Sequence, residues 1–167
     1  MGFYEETGIL ILGSRLKRLS ERFLSEVGKI YEKLNINFEP AWFPMVFLIH
    51  KKGPLSVTVI SEELNVSQPA ASQLVSTLNK KGIFILVPDA KDKRKKMVHF
   101  SSEGKKIVKK LIPVWETLEK SMFEIFCEND EDFHVVDSFN QLEIKLNKIN
   151  FSDTVINKLE TYSEDHT

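Results

Sequence analysis

The chain has one cysteine, Cys127, so an internal disulfide is excluded and the expected home is a reducing compartment. No apolar run approaches the ~20 residues needed to span a bilayer. The opening residues Met1-Gly2-Phe3-Tyr4-Glu5-Glu6 lack the basic start of a secretory signal, so a cytoplasmic protein without membrane association is expected. Metal and nucleotide chemistry are missing too. His50, His99, His134 and His166 are scattered, with no His-x-x-x-His and no Cys/His cluster, and no glycine-rich phosphate loop occurs. Neither cofactor nor metal is expected. Glu62-Glu63 sits on a short helix next to the most distinctive segment, a poor place for a general acid, so no catalytic residue is assigned and an enzyme is not expected.

A large net charge is also lacking. The formal charge is -1, which alone argues against wholesale polyanion binding. That average hides a segregation. Residues 1–50 balance at six basic and six acidic, residues 51–110 hold thirteen Lys/Arg against five Asp/Glu, and residues 111–167 hold four against thirteen. A basic middle is therefore followed by an acidic end, an arrangement that focuses attraction for phosphate on one part of the molecule. With 42% hydrophobic residues, the chain has ample material for a core.

Periodicity places helices on both sides of the basic segment. Ile9, Leu12, Leu16, Leu19, Phe23, Val27, Ile30 and Leu34 recur at steps of three or four, which predicts one amphipathic helix from about residue 6 to 35. Asn35 to Pro40 breaks it. A second helix carries Trp42, Phe43, Val46, Phe47 and Ile49 and ends at Lys51-Lys52-Gly53-Pro54. After the basic segment, Ser101-Ser102-Glu103-Gly104 caps a long helix with the stripe Ile107, Leu111, Val114, Leu118, Met122 and Ile125, which Pro113 is expected to kink without ending. Phe133, Val136, Phe139, Leu142, Leu146 and Ile149 form another stripe, and Phe151, Val155, Leu159 and Tyr162 extend it beyond a break near Asn150 to Asp153. Apolar stripes this long on terminal helices point to a partner. No repeat or low-complexity linker divides the chain, so residues 1–167 are expected to form a single domain with an arm built from both ends.

Between these helices lies the segment that carries the chemistry. Leu55-Ser56-Val57 predicts a short strand, Thr58 to Asn65 a helix of about two turns, and Ser67 the cap of another helix that ends near Lys81-Gly82. Ile60 and Leu64 face inward, Asn65 makes the turn, Val66 plugs the angle between the helices, and Ala70 and Ala71 permit close approach. Leu74, Val75 and Leu78 are read as the buried face. Ser67, Gln68, Ser72, Gln73 and Ser76, with Pro69 among them, give the exposed face a polar surface suited to base edges and phosphates. Ile83 to Val87 and Met97 to Phe100 have β-type composition and flank Asp89-Ala90-Lys91-Asp92-Lys93-Arg94-Lys95-Lys96, which predicts a hairpin with a basic tip. On such a loop Arg94 suits a narrow minor groove, Lys91, Lys93, Lys95 and Lys96 supply phosphate affinity, and Asp92 can hold either the arginine or the turn backbone in place. The fold class is therefore mainly α: a winged helix-turn-helix lobe with a terminal-helix dimerisation arm.

These residues resemble the MarR (multiple antibiotic resistance regulator) family. The likeness rests on Leu64-Asn65-Val66-Ser67-Gln68-Pro69-Ala70-Ala71-Ser72-Gln73-Leu74-Val75, on Leu78-Asn79-Lys80-Lys81-Gly82, and most of all on the Asp92-Lys93-Arg94 wing running through Met97-Val98-His99-Phe100 into Ser101-Ser102-Glu103-Gly104. Lys93 and Lys95 stand where that wing is variable. The resemblance implies a homodimer joined by residues 1–36 and 104–167, with 37–103 as the DNA-binding lobe. It also implies a double-stranded, pseudo-palindromic operator whose half-sites lie about one helical turn, ~34 Å, apart. Many members respond to small phenolic or amphipathic molecules held between arm and lobe. Tyr31, Trp42, Phe43, Phe47 and Trp115 are the aromatics expected near such an effector crevice, although aromatics at helical spacing are more often core. The expected function is a ligand-responsive repressor. Two alternatives stand beside it: a protein-interaction module on a winged-helix scaffold, and a regulator that senses oxidants through Cys127, a residue otherwise read as buried and structural.

Overall fold

The computed structural model describes residues 2–90, 92–93, 95–127 and 134–164, apart from the side chains of 127, 163 and 164. Lys91, Arg94, Phe133 and His166 lie outside the described residues, as does the thiol of Cys127. The chain divides into two compact units, residues 1–116 and residues 117–167.

The first unit opens with a short helix, α1 (Phe3–Glu6), and a 3-10 turn over Gly8–Ile11 before α2 (Leu12–Lys33). The expected helix from residue 6 is thus interrupted: Gly8 has φ +62°, a left-handed conformation that a continuous helix does not contain. Its apolar period persists across the break, which is why periodicity alone does not reveal it. Only Val27 and Tyr31 of α2 are buried, while Leu19, Phe23 and Leu24 remain exposed. A turn at Pro40–Trp42 leads into α3 (Phe43–Lys52), which buries Met45, Val46 and Ile49.

Three helix ends use one device. After α2, the Asn35 N–H reaches Glu32 O at 2.9 Å and the Ile36 N–H reaches Tyr31 O at 2.9 Å, with Asn35 at φ +53°. The same pair of bonds recurs at Asn65 (φ +51°) after α4 (Val57–Glu63) and at Gly82 (φ +73°) after α5 (Gln68–Lys80). Each left-handed residue satisfies carbonyls that the helix end would otherwise orphan. The starts are capped in turn: Ser56 Oγ accepts from the Val59 N–H at 3.4 Å, and Ser67 Oγ accepts from the Ala70 N–H at 3.3 Å. Val57 is therefore the first residue of α4, and the strand β1 is only Leu55–Ser56.

Strands β2 (Phe84–Pro88) and β3 (Lys96–Phe100) pair antiparallel from Phe84↔Phe100 to Pro88↔Lys96, and β1 joins the other edge of β3 with Leu55 opposite Val98. The order is β1-β3-β2. α5 packs on α4 and on β2, and α3 and α4 both pack on β3. Ile60, Leu78, Phe84 and Val98 at the centre are 0% exposed, and Ala71 and Val75 complete the buried face of α5, with Leu74 half-buried. Burying an aliphatic or aromatic side chain of this size stabilises by roughly 1.5–3 kcal/mol, so this cluster anchors the lobe. Val66 departs from the sequence reading. It is 44% exposed, and only its backbone ties the turn, its N–H donating at 3.0 Å to the carbonyl of buried Ser61, whose Oγ donates to Thr58 O at 2.7 Å.

α6 (Ser102–Cys127) starts on a clamp. Ser101 Oγ accepts from the Gly104 N–H at 2.8 Å and donates to Gly82 O, while the Ser101 N–H reaches Ile83 O at 3.0 Å. Gly104 is required by closeness: a Cβ there would stand 2.0 Å from Ile83 O. Within the first unit α6 buries Val108, Leu111 and Trp115, a face rotated one position from part of the expected stripe, and the helix continues through Pro113. The lobe is a winged helix-turn-helix, and helix dominates the chain.

The second unit contains the end of α6, then α7 (Val135–Lys148) and α8 (Phe151–Glu164). Asn150 separates the last two. Its Oδ1 accepts from the Asp153 N–H at 3.4 Å and from Ser152 Oγ at 2.9 Å, capping α8 at the break expected from sequence. No residue of α7 is buried. Val136, Phe151, Leu159 and Tyr162 are each at least 60% exposed, as are Phe123 and Ile125 at the end of α6.

Candidate nucleic-acid interface

One face of α5 is built for contact. With Ala71, Val75 and Leu78 fixed in the core, helical geometry turns Gln68, Pro69, Ser72, Gln73 and Ser76 outward, and all five are exposed. Ser67 is exposed as well, but its Oγ already serves the cap. Gln68 is anchored: its Nε2 donates to Thr58 Oγ1 on α4 at 3.2 Å. Thr77 Oγ1 donates back to Gln73 O at 3.0 Å, so its hydroxyl is satisfied within the helix. At its other end, Asn79 Nδ2 donates to Phe84 O at 2.9 Å and ties α5 to the first wing strand.

The wing tip is a closed turn. The Asp89 N–H donates to Lys95 O and the Lys95 N–H to Asp92 O, each at 2.9 Å, while Asp89 Oδ1 accepts from the Asp92 N–H at 2.8 Å. The Asp89 side chain thus orders the loop backbone, a part that sequence does not assign to it; its signal is an Asp three residues before a turn N–H. Lys93, Lys95 and Lys96 are exposed around this turn. The turn brings these three cations onto one short segment, where their fields add.

The five aromatics singled out from sequence do come together. Trp115 Nε1 donates to Tyr31 Oη at 2.9 Å, joining α6 to α2, and Trp115 stands edge-on to Phe43 and Phe47 at 5.2 and 5.5 Å. Phe43 and Phe47 stack at 5.0 Å. Phe38, missed by sequence reading because it lies in the break between helices, links Tyr31 at 5.4 Å to Trp42 at 5.6 Å. Tyr31, Trp42 and Trp115 are buried, and Phe43 and Phe47 are half-buried. Burial pushes the Tyr31 phenol above its ordinary pKa, partly offset by the Trp115 hydrogen bond. Lys81, at the end of α5, lies 6.0 Å over the Trp42 ring, so the aromatic cluster touches the helix that carries the polar face.

Among the described residues, no group of three or more His, Cys, Asp or Glu is placed to hold a metal ion, and no helix is long and apolar enough to cross a membrane.

Comparison with known proteins adds a family to this geometry. Residues 36–95 match the model of the MarR family. No curated protein matches the sequence. Among solved structures, the transcriptional regulator BldR from Sulfolobus solfataricus is 21% identical with a TM-score of 0.58, over 89% of this chain and 100% of that one. A MarR/EmrR family regulator from Acinetobacter sp. ADP1 is 17% identical with a TM-score of 0.68, over 83% and 96%. BpsR of Bordetella bronchiseptica, whose DNA binding is regulated by 6-hydroxynicotinic acid, is 16% identical with a TM-score of 0.61, over 87% and 99%. The segment that matches the MarR family, residues 36–95, is the one that folds here as a winged helix-turn-helix, and the solved structures similar to this chain share that fold.

Proposed function

We propose that the chain is a sequence-specific, DNA-binding transcriptional regulator of the cytoplasm. It acts as a homodimeric repressor on a pseudo-palindromic operator. The observation that carries this reading is the exposed polar row of α5, Gln68, Ser72, Gln73 and Ser76, standing on the same lobe as a closed turn that carries Lys93, Lys95 and Lys96. A helix of this polarity fits a major groove, whose base edges offer donors and acceptors to amides and hydroxyls. Arg94 enters the flanking minor groove, and Lys91 joins the other wing lysines on phosphates. Residues 1–36 and 104–167 form the arm through which two chains join, which would cover the exposed apolar faces of α7 and α8.

The repressor releases DNA when a small aromatic or amphipathic molecule binds near Phe43 and Phe47, whose rings are half-buried and therefore reachable. Tyr31, Trp42 and Trp115 support that surface from behind. The contact from Trp42 to Lys81 gives such a ligand a route to α5. BpsR, similar in fold, has its DNA binding regulated by a small aromatic molecule, 6-hydroxynicotinic acid, which supports this reading.

Replacing Arg94 by alanine tests the wing. Operator affinity is expected to fall about tenfold, the scale of one lost specific contact, while melting and mass stay unchanged. Unchanged affinity would remove the wing from the site. Gln73→Ala is expected to relax preference at one base pair; uniform weakening over all sequences would move Gln73 to the phosphate contacts.

A further inference from the structure

The bond between Gln68 and Thr58 gives these two residues unequal and connected parts in reading DNA. Gln68 is the first residue of α5 and Thr58 the second of α4; both are exposed, yet Gln68 Nε2 donates to Thr58 Oγ1 at 3.2 Å. Thr58 is itself rooted. Its carbonyl accepts from the buried Ser61 Oγ at 2.7 Å, and Ser61 in turn holds the turn between the helices through the Val66 N–H. A solvent-exposed glutamine ordinarily samples many rotamers, and fixing it on a ligand costs entropy. Here that ordering is in place before any ligand arrives.

We propose that Thr58 is a positioning residue that commits Gln68 to adenine. This rests on the DNA-reading function proposed above. A carboxamide carries two N–H donors and one acceptor oxygen. With one hydrogen engaged by Thr58, Gln68 keeps one N–H and Oε1, and that donor and acceptor match the N7 acceptor and N6 donor of adenine in the major groove. Guanine presents two acceptors, N7 and O6, so the same pose would set Oε1 against an acceptor. An amide freed from Thr58 regains its second N–H and can offer both Nε2 hydrogens to N7 and O6 of guanine, so it tolerates both purines. The hydroxyl thus contributes to specificity without touching DNA.

The test is selection of bound duplexes from a random pool by wild type, Gln68→Ala, Thr58→Val and Thr58→Ser, with melting temperatures measured alongside. The base position whose preference disappears in Gln68→Ala is the one Gln68 reads, and wild type is expected to favour adenine there. Thr58→Val, which keeps shape and loses the hydroxyl, should reduce the preference for adenine over guanine at that position about tenfold. Preferences elsewhere and the melting temperature should hold, and Thr58→Ser should restore the discrimination. A Thr58→Val profile identical to wild type, a uniform loss at all positions, or a wild-type preference for guanine would overturn the proposal. Recovery of no sequence by wild type would overturn the DNA-reading function itself, and this inference with it.

Discussion

Residues 1–116 and residues 117–167 use similar apolar residues to opposite ends. In the first unit Met45, Val46, Ile60, Leu78, Phe84 and Val98 are sealed from water, and every helix turn around them has its cap or left-handed stop. In the second, no residue of α7 is buried and the large side chains of α8 stand in solvent. A lone soluble domain rarely leaves so many large apolar side chains open on neighbouring helices of its sequence. The lobe therefore carries its own folding information, whereas the exposed residues of α7 and α8 are, in the proposed dimer, the ones a second chain would cover. Stability in the first should follow from single-chain packing, and stability in the second from concentration.

The comparison breaks first, and by the largest effect, at the core. Phe84→Ala should destabilise the lobe by about 3–5 kcal/mol in urea denaturation at any protein concentration. If the loss shrank on raising the concentration, lobe and tail would not be energetically distinct. Next comes Tyr31→Phe, which strands the buried Trp115 N–H and should cost about 1–3 kcal/mol.

The same tyrosine sets a pH dependence. Its phenol titrates higher folded than unfolded, so the unfolded chain loses its proton first as pH rises. The stability due to that burial is fully present below the ordinary value of 10.0 and is lost as pH rises through the folded pKa. Denaturation midpoints of wild type should therefore fall above that value, and Tyr31→Phe should fall less; parallel curves would show that the phenol is not responsible. Smaller still is Ser101→Ala, which removes the cap on Gly104 and the link to Gly82 and should cost about 1 kcal/mol by thermal melting. Least in stability is Lys93→Ala, within about 0.5 kcal/mol by the same melt because the residue is exposed. Its effect belongs in the salt dependence of DNA binding, where the slope of log affinity should become shallower by about 1. An unchanged slope would take Lys93 off the phosphates.

What sequence made legible follows the same division. Ser67, Asn65 and Gly82 announce the helix-turn-helix because capping and left-handed turns depend on residues next to each other. The wing strands are as local, and their boundaries fall within one residue of expectation. What escaped is tertiary. The exposure of Val66, the bond of Gln68 to Thr58, the tie from Asn79 to Phe84 and the close approach of Gly104 to Ile83 each join positions whose relation periodicity does not encode. The break at Gly8 escaped for another reason: the apolar spacing continues across it, and a glycine alone does not state its φ. The polar residues of α5 are exposed as their helical spacing implies, whereas the parts of Asp89 and Phe38 depend on how turns fold back and are not legible in spacing.

Joint reading of one duplex by two lobes, joined through the terminal helices, underlies the proposed function. Its most direct test is the mass of the protein across a dilution series, free and bound to an inverted-repeat duplex recovered by selection, for wild type and for Phe123→Glu. Two wild-type chains are expected alone and on the duplex, with the variant shifted towards one chain and its operator affinity much reduced. A single wild-type chain holding the duplex at full affinity, or a variant that matches wild type in both mass and affinity, would contradict it.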